Sequence, residues 1–224
     1  GETIQTIINV QAEHDDDSYL FFTTRYGVVK RTSVTEFANI RQNGLKALNL
    51  KDEDELINVF LTNGQADIII GTKMGYAVRF NESQVRNMGR AATGVRGVNL
   101  RAGDHVVGAS VISNDQEVLV ITEKGYGKRT LASEYATKGR GGKGMKTANI
   151  TEKNGPLAGL MAVNGDEDLM VITNTGVIIR TNVANISQTG RATLGVKVMR
   201  LDKGAQIVTF TSVAAENEKE VDEE

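Results

Sequence analysis

Four times the chain repeats one phrase, TTRYGVVKRT, GTKMGYAVRF, ITEKGYGKRT and ITNTGVIIRT, with central glycines Gly27, Gly75, Gly125 and Gly176 spaced by 48, 50 and 51 residues. A period of about fifty residues marks a repeat architecture before any single residue is interpreted. A second phrase keeps the same register, reading NGLKALNL, TGVRGVNL, KGMKTANI and LGVKVMRL around Gly44, Gly94, Gly144 and Gly195. Two signatures in one register make chance similarity a poor explanation.

In each first half an apolar run (Leu20–Phe22, Ile68–Ile70, Val118–Ile121, Leu169–Ile172) meets a glycine and then a second β-rich run. That is a hairpin pattern, with glycine supplying the positive φ of a tight turn. Each second half is a short alternating strand, followed by a further apolar run such as Leu56–Leu61, Val106–Ile112 or Ile207–Val213. The expectation is all-β, about four short strands per unit, with units near residues 1–50, 51–101, 102–150 and 151–201 and a closing strand over 202–213. Because an unpaired β edge invites association, the terminal strand 206–213 is expected to pair, either against the first unit or as the outer strand of the last.

The 40% hydrophobic content comes in runs of four to eight residues, too short to span a bilayer, and no signal-like segment opens the sequence. A soluble protein is expected. The absence of cysteine excludes disulfides and thiolate metal sites and suits a reducing cytoplasm. The two histidines, His14 and His105, have no neighbouring ligand set and read as solvated loop residues. No convergent carboxylates and no Ser-His-Asp combination are present, which argues against a propeller hydrolase. The net charge of −2 conceals an asymmetry: residues 214–224 carry six acids and one lysine, leaving +3 on the rest. That tail lacks hydrophobic periodicity and is expected to be disordered, acting as a solubiliser or as a competitor for the basic body.

The basic residues follow the repeat. Four positions beyond each turn glycine stands an arginine: Arg31, Arg79, Arg129 and Arg180. Two positions beyond each second glycine stands another cation: Lys46, Arg96, Lys146 and Lys197. Lys30 and Lys128 flank the first set in two copies, and Arg90, Arg140 and Arg191 precede the second glycine in three. Strand alternation points equivalent positions the same way in every unit, so these cations are expected to form a belt on a curved rim suited to duplex DNA. The competing reading is that the repeated arginines brace neighbouring blades of a protein-interaction platform. Burial separates the two.

The segment GRGGKGMKT, Gly139 to Thr147, adds glycines that admit close approach of an anion and the cations Arg140, Lys143 and Lys146. It is not a nucleotide P-loop, because Met145 follows Gly144 where lysine is required. Together with GYGKRT, KTANITEKNG, MGRAATGVRGVNLR and ISQTGRATLGVKVMRL it closely resembles the family of gyrase A C-terminal domains, which belong to bacterial type IIA topoisomerases. The corresponding part of topoisomerase IV carries related repeats.

The resemblance covers the chain up to Val213. It implies a β-pinwheel, a propeller-like disc of four-stranded blades that wraps duplex DNA on its basic rim. It also implies a supporting role in ATP-dependent negative supercoiling by DNA gyrase, with the gyrase A N-terminal cleavage core and the gyrase B subunit as partners. No catalytic residue and no cofactor is expected in this chain, no membrane is implied, and the location is the bacterial cytoplasm, at the nucleoid. The implied DNA-binding set is Arg31, Lys46, Arg79, Arg96, Lys128, Arg129, Arg140, Lys143, Lys146, Arg180 and Lys197. The family's box, approximately QRRGGKG in the first blade, is matched here only by KGRGGKG at residues 138–144 in a later one. With a family norm of six blades and a start that aligns to the last strand of a repeat, the chain reads as the final four blades. The tyrosines beside the turn glycines, Tyr26, Tyr76 and Tyr126, read as packing residues, since 5% aromatic content without tryptophan does not make a base-stacking platform.

Overall fold

The computed structural model describes residues 7–8, 17–39 and 44–215. Its order is β1 (Tyr19–Thr24), β2 (Val28–Ser33), β3 (Leu56–Thr62), β4 (Asp67–Thr72), β5 (Tyr76–Asn81), β6 (Val95–Arg96), β7 (Val106–Ile112), β8 (Glu117–Thr122), β9 (Tyr126–Leu131), β10 (Met145–Lys146), β11 (Leu157–Val163), β12 (Glu167–Thr173), β13 (Ile178–Asn182), β14 (Val196–Lys197) and β15 (Ile207–Ala214). Single 3-10 turns follow β2, β5, β9 and β13, and no α-helix occurs among the described residues. Hence no helix there is long and apolar enough to cross a membrane.

The strands form four sheets, ordered β3-β1-β2-β6, β10-β5-β4-β7, β11-β8-β9-β14 and β13-β12-β15. Every pairing between these strands is antiparallel. The β1–β2, β4–β5, β8–β9 and β12–β13 hairpins turn at the four repeat glycines, each with φ between 77° and 83°. There the left-handed conformation costs glycine no side-chain clash.

Strands β3, β7, β11 and β15 line one central cavity through Ile57, Phe60, Gly108, Leu160 and Phe210, which makes them the inner strand of each blade. At Gly108 the backbone of β7 meets that of β11 so closely that a Cβ would strike the Leu160 carbonyl oxygen. A blade is therefore a hairpin plus the inner strand that follows it, so blade boundaries fall differently from the units 1–50, 51–101, 102–150 and 151–201 read in the sequence. The strand expected to close or edge the assembly, β15, is instead the ordinary inner strand of the last blade, paired to β12 from Glu167↔Ala214 to Thr173↔Ile207. Residues 216–224, the rest of the acidic tail, lie outside the described residues, as does His14.

The outer strands are exchanged between repeats. Blade 1 receives β6 from the second repeat, blade 2 receives β10 from the third, and blade 3 receives β14 from the fourth. Blade 4 has three strands among the described residues.

The core lies between blades. One buried cluster joins Phe21 and Val29 of blade 1 to Ile68, Ile70 and Phe80 of blade 2, another joins blade 2 to blade 3 through Ile69, Val118 and Leu160, and a third joins blade 3 to blade 4 through Leu119, Ile121, Leu169 and Val171. Both faces of a middle blade are thus buried, which explains why β4 and β8 read as continuous apolar runs.

Candidate nucleic-acid interface

The two cation registers end in different places. Arg79 on β5 is 5% exposed. Its Nε and Nη2 meet the Asp67 carboxylate at 2.9 and 2.8 Å, its Nη1 donates to the carbonyls of Ala132 and Tyr135 at 2.9 and 3.3 Å, and its Nη2 also donates to Asn114 at 2.9 Å. Ala132 opens the 3-10 turn of the next blade, so this arginine ties blade 2 to blade 3. Burial by itself would raise the pKa of Asp67, but hydrogen bonds from Thr137, Asn81 and Arg79 outweigh it and hold the carboxyl below its ordinary value.

Arg129 repeats the arrangement one blade on. It pairs with Glu117 and donates Nε to the Ile186 carbonyl at 2.8 Å and Nη2 to that of Ala184 at 3.4 Å. Arg31 donates to the Gly64 carbonyl at 3.2 Å, lies 3.9 Å from the fully buried Glu82 of blade 2 and sits 4.7 Å over the Tyr19 ring. Tyr19 holds the place that Asp67, Glu117 and Asp168 hold in the other blades, so blade 1 replaces an ion pair by a cation–π contact. Arg180, more exposed, bonds Asp168 at 2.8 Å and the Ala214 carbonyl at 3.3 Å.

These contacts correct the expectation of an open arginine track. Arg31, Arg79 and Arg129 have their donors turned into the seams between blades, because a guanidinium buried there must bond carboxylates and carbonyls in place of water.

Lys128 is corrected in the same way. Its amine is buried, with Nζ donating to the carbonyl of Gly190 at 2.6 Å, to that of Arg191 and to the Thr193 hydroxyl at 3.1 Å. Lys30 does likewise with the carbonyls of Ala47, at 2.6 Å, and Arg90. The loop each lysine holds leads directly into the exchanged outer strand, so the buried amine fixes that strand's delivery. For both, burial is the main cause that brings the pKa down to about 8.

The second register faces outward. Arg96, Lys146 and Lys197 are exposed and stand on β6, β10 and β14, the strands farthest from the central cavity. Lys46 is exposed at the same register position. Its Nζ bonds Asn49 at 2.9 Å, as Lys146 bonds Asn149 at 3.1 Å, and Lys197 lies 5.8 Å from the Tyr126 ring. These are surface contacts that a phosphate can displace.

Arg140 joins the outer strands to one another: Nη1 donates to the Arg96 carbonyl at 2.9 Å and Nε to that of Gln84 at 3.0 Å. Arg191 makes the equivalent bond to the Lys146 carbonyl at 3.1 Å. The glycine-rich loop is consequently laid against the preceding repeat, with the Gly141 N–H on the Gly97 carbonyl at 2.6 Å and the Gly142 carbonyl on the Asn99 N–H at 2.9 Å. An anion nest is therefore not fully open there, since Gly141 already donates, but Lys143 remains exposed beside the exposed Lys138.

Sequence reading missed two cations of this surface, Arg101 and Lys153, and the setting of a third, Lys197. The Arg101 guanidinium stacks 3.3 Å from the Tyr76 centroid and donates to the Lys143 carbonyl at 2.5 Å, and Lys153 and Lys197 flank Tyr126. Tyr76 and Tyr126 thus carry rim cations, a pairing hinted at only by their place beside the turn glycine. His105 lies in the loop before β7, as expected, but is half-buried against a cavity lined by inner-strand residues, and burial, with Arg25 and Lys73 nearby, lowers its pKa.

Comparison with known proteins agrees with the geometry. Segments 18–63, 66–113, 116–164 and 167–214 each match the family described as DNA gyrase C-terminal domain, beta-propeller. The chain is 78% identical over 220 residues to the gyrase A protein of Streptococcus pneumoniae, and 59% identical over 223 residues to that of Halalkalibacterium halodurans. These alignments take in 98% and 100% of the chain but only 27% and 26% of the relatives, so it spans about a quarter of their length. Among solved structures, a DNA gyrase A C-terminal domain superposes with a TM-score of 0.80 at 28% identity, over 88% of this chain and 66% of the other. A DNA topoisomerase IV C-terminal domain superposes at 0.84 and 28%, over 90% and 63%. The chain belongs to the DNA gyrase C-terminal domain family of β-propellers.

Proposed function

We propose that this domain binds duplex DNA along its outer rim and bends it around the blades. The observation that carries this reading is the exposed cation on the outermost strand of successive blades, Arg96, Lys146 and Lys197, with Lys46 in the same register and Lys143 exposed on the glycine-rich loop. Regularly spaced charge on a convex edge suits a polymer with regularly spaced phosphates, and affinity then comes from counterion release with little base reading. Sequence enters through flexibility, since bending a 20–30 base-pair site by 40–90° costs on the order of 1–6 kcal/mol.

Membership of the gyrase family supports a further step. In the longer protein the wrap presents a DNA segment to the gyrase A N-terminal cleavage core, which works with the gyrase B subunit in ATP-dependent supercoiling in the bacterial cytoplasm. This chain supplies the track and no catalytic group or cofactor.

Gel shifts with linear duplexes of increasing length, repeated across salt concentrations, test the reading. Affinity should climb with length until the rim is filled. If each blade neutralises one or two phosphates, the log–log salt slope should be roughly −4 to −7, at about 0.9 per contact. Affinity independent of duplex length would leave only a local contact and remove the wrap.

A further inference from the structure

Blade 2 has no lysine at the register of Lys30 and Lys128; Val78 stands there. In blade 1 the Lys30 amine bridges two carbonyls, that of Ala47 just past Lys46 and that of Arg90 in the loop that leads into β6. In blade 3 the Lys128 amine holds the carbonyl of Arg191, which occupies the place of Arg90. The residues of blade 2 at the Ala47 and Arg90 positions are Gly97 and Arg140. Two carbonyls cannot bond each other, and no lysine amine stands here to join them.

This blade joins the two segments through its backbone. The Gly141 N–H donates directly to the Gly97 carbonyl at 2.6 Å, and Gly141 has a φ of 77°. Ala91 and Ala192 hold the same place in the sister loops without a positive φ, since Glu53 is the one non-glycine residue that has it among those described. The sister loops close as turns, with the Ala92 N–H on the Gly89 carbonyl at 3.1 Å and the Thr193 N–H on that of Gly190 at 3.4 Å. A positive φ at the third residue of such a turn distinguishes type II from type I, and the two types differ by a half-rotation of the central peptide. The Arg140–Gly141 peptide is therefore turned over relative to Arg90–Ala91 and Arg191–Ala192.

A trans peptide carries its C=O and N–H on opposite sides. In the sister loops the carbonyl faces a buried amine, so the N–H groups of the exposed Ala91 and Ala192 face away from the interior. In blade 2 the N–H is turned in and the Arg140 carbonyl out.

We propose that the Gly141 amide is a phosphate donor of the rim, held in reserve against Gly97 and turned outward when DNA binds. This rests on the reading of the rim as a DNA track. Glycine accepts either sign of φ, so the peptide is free to take the position seen in the sister loops. Beneath the loop lies a cavity of about 200 Å³ lined by Val78, Lys138, Lys143 and Met145 among others. Once turned, the Arg140 carbonyl joins that of Gly97 on this side, and the cavity has room for a water to bridge them as the Lys30 amine bridges its pair. Outside, Lys138, Arg140 and Lys143 are all exposed and draw an anion to the loop. A phosphate arriving there is repelled by the outward carbonyl and gains a charge-assisted bond from an outward N–H.

Gly141→Ala gives the loop its sisters' residue, and alanine resists the left-handed φ that the reserve position needs. In the DNA-free chain the protection of this amide from hydrogen exchange should fall by about tenfold or more relative to Gly141 in the parent, because its bond to Gly97 is given up. Having less of the turn-over left to make, the variant should bind duplex DNA about fivefold more tightly. Its log–log salt slope should equal the parent's, since a neutral N–H releases no counterion. Val78→Lys, which rebuilds the bridge of blades 1 and 3 from inside, should expose the same amide. In the parent the carbonyl-carbon resonance of Gly97 should move on addition of duplex, and in Gly141→Ala it should move less. An amide as well protected in Gly141→Ala as in the parent overturns the proposal. So does a freed amide with unchanged or weaker DNA affinity. Failure of the rim reading itself looks different: affinity would be independent of duplex length in the parent and in Gly141→Ala alike, whatever the exchange shows.

Discussion

Arg79 in the seam between blades 2 and 3 and Lys146 on the rim of blade 2 belong to equally regular registers of one repeat, yet the fold uses them in opposite ways. The seam arginine is enclosed with Asp67 and the carbonyls of the next blade. The rim lysine is exposed, and its amine bonds Asn149. Both patterns are periodic because every blade must solve two problems, attachment to its neighbour and presentation of charge. A regular cation becomes a candidate for DNA contact only where the fold leaves its hydrogen-bonding capacity free.

The largest effect is expected in the seam. Arg79→Ala leaves Asp67 only its Thr137 and Asn81 donors and removes the donor for the Ala132 and Tyr135 carbonyls, so it should cost about 3 kcal/mol in denaturant unfolding, the low end of the range for breaking a buried pair. Arg180→Ala, at a more exposed pair in the last blade, should cost less than about 1 kcal/mol. If instead Arg79→Ala unfolds at the parent's midpoint and loses DNA affinity, the arginine belongs to the rim after all.

The rim should respond the other way. Replacing Arg96, Lys146 and Lys197 together by alanine should change stability by less than about 0.5 kcal/mol per site, as for ordinary surface substitutions. The salt dependence of DNA binding should become shallower by about 0.9 in log–log slope for each lost phosphate contact. An unchanged slope would mean that these side chains do not meet phosphates. Reversing Arg129 together with Lys143 and Lys146 would confuse the two classes, since Arg129 holds Glu117 and the turn of blade 4.

How far the sequence could be read follows from the same contrast. The hairpins were legible because apolar runs and turn glycines are local signals, and the inner strands because each run is long enough to be recognised alone. Alternation says that Arg31, Arg79, Arg129 and Arg180 point the same way; it does not say whether that way is solvent or the next blade. That depends on packing between residues fifty positions apart. The exchanged strands β6, β10 and β14 are only two residues long, and their partners lie in another repeat, so pattern alone could not pair them. The buried lysines do leave a trace in the sequence. The place of Lys30 and Lys128 is held by Val78 and Ile179 in the other two repeats, and an apolar residue alternating with lysine marks an interior position whose amine needs internal acceptors.

Those interior lysines give a prediction that reads the seam through pH. Lys128 titrates near 8 in the folded chain against 10.5 for an ordinary lysine, because burial disfavours its charged form. Between these values the unfolded chain holds a proton that the folded chain has released, so stability contributed through this site rises with pH across that window. The neutral amine still has two N–H donors for the Gly190 and Arg191 carbonyls, so the loop need not be released when the charge goes. In Lys128→Met the thioether cannot donate to them, and the pH term vanishes. The stability difference between parent and Lys128→Met should therefore shift in the parent's favour from about pH 8 to 10.5, measured by urea unfolding at matched ionic strength. A difference that stays flat across this window would show that burial does not release the Lys128 proton, and the distinction between seam and rim would then rest on the arginines alone.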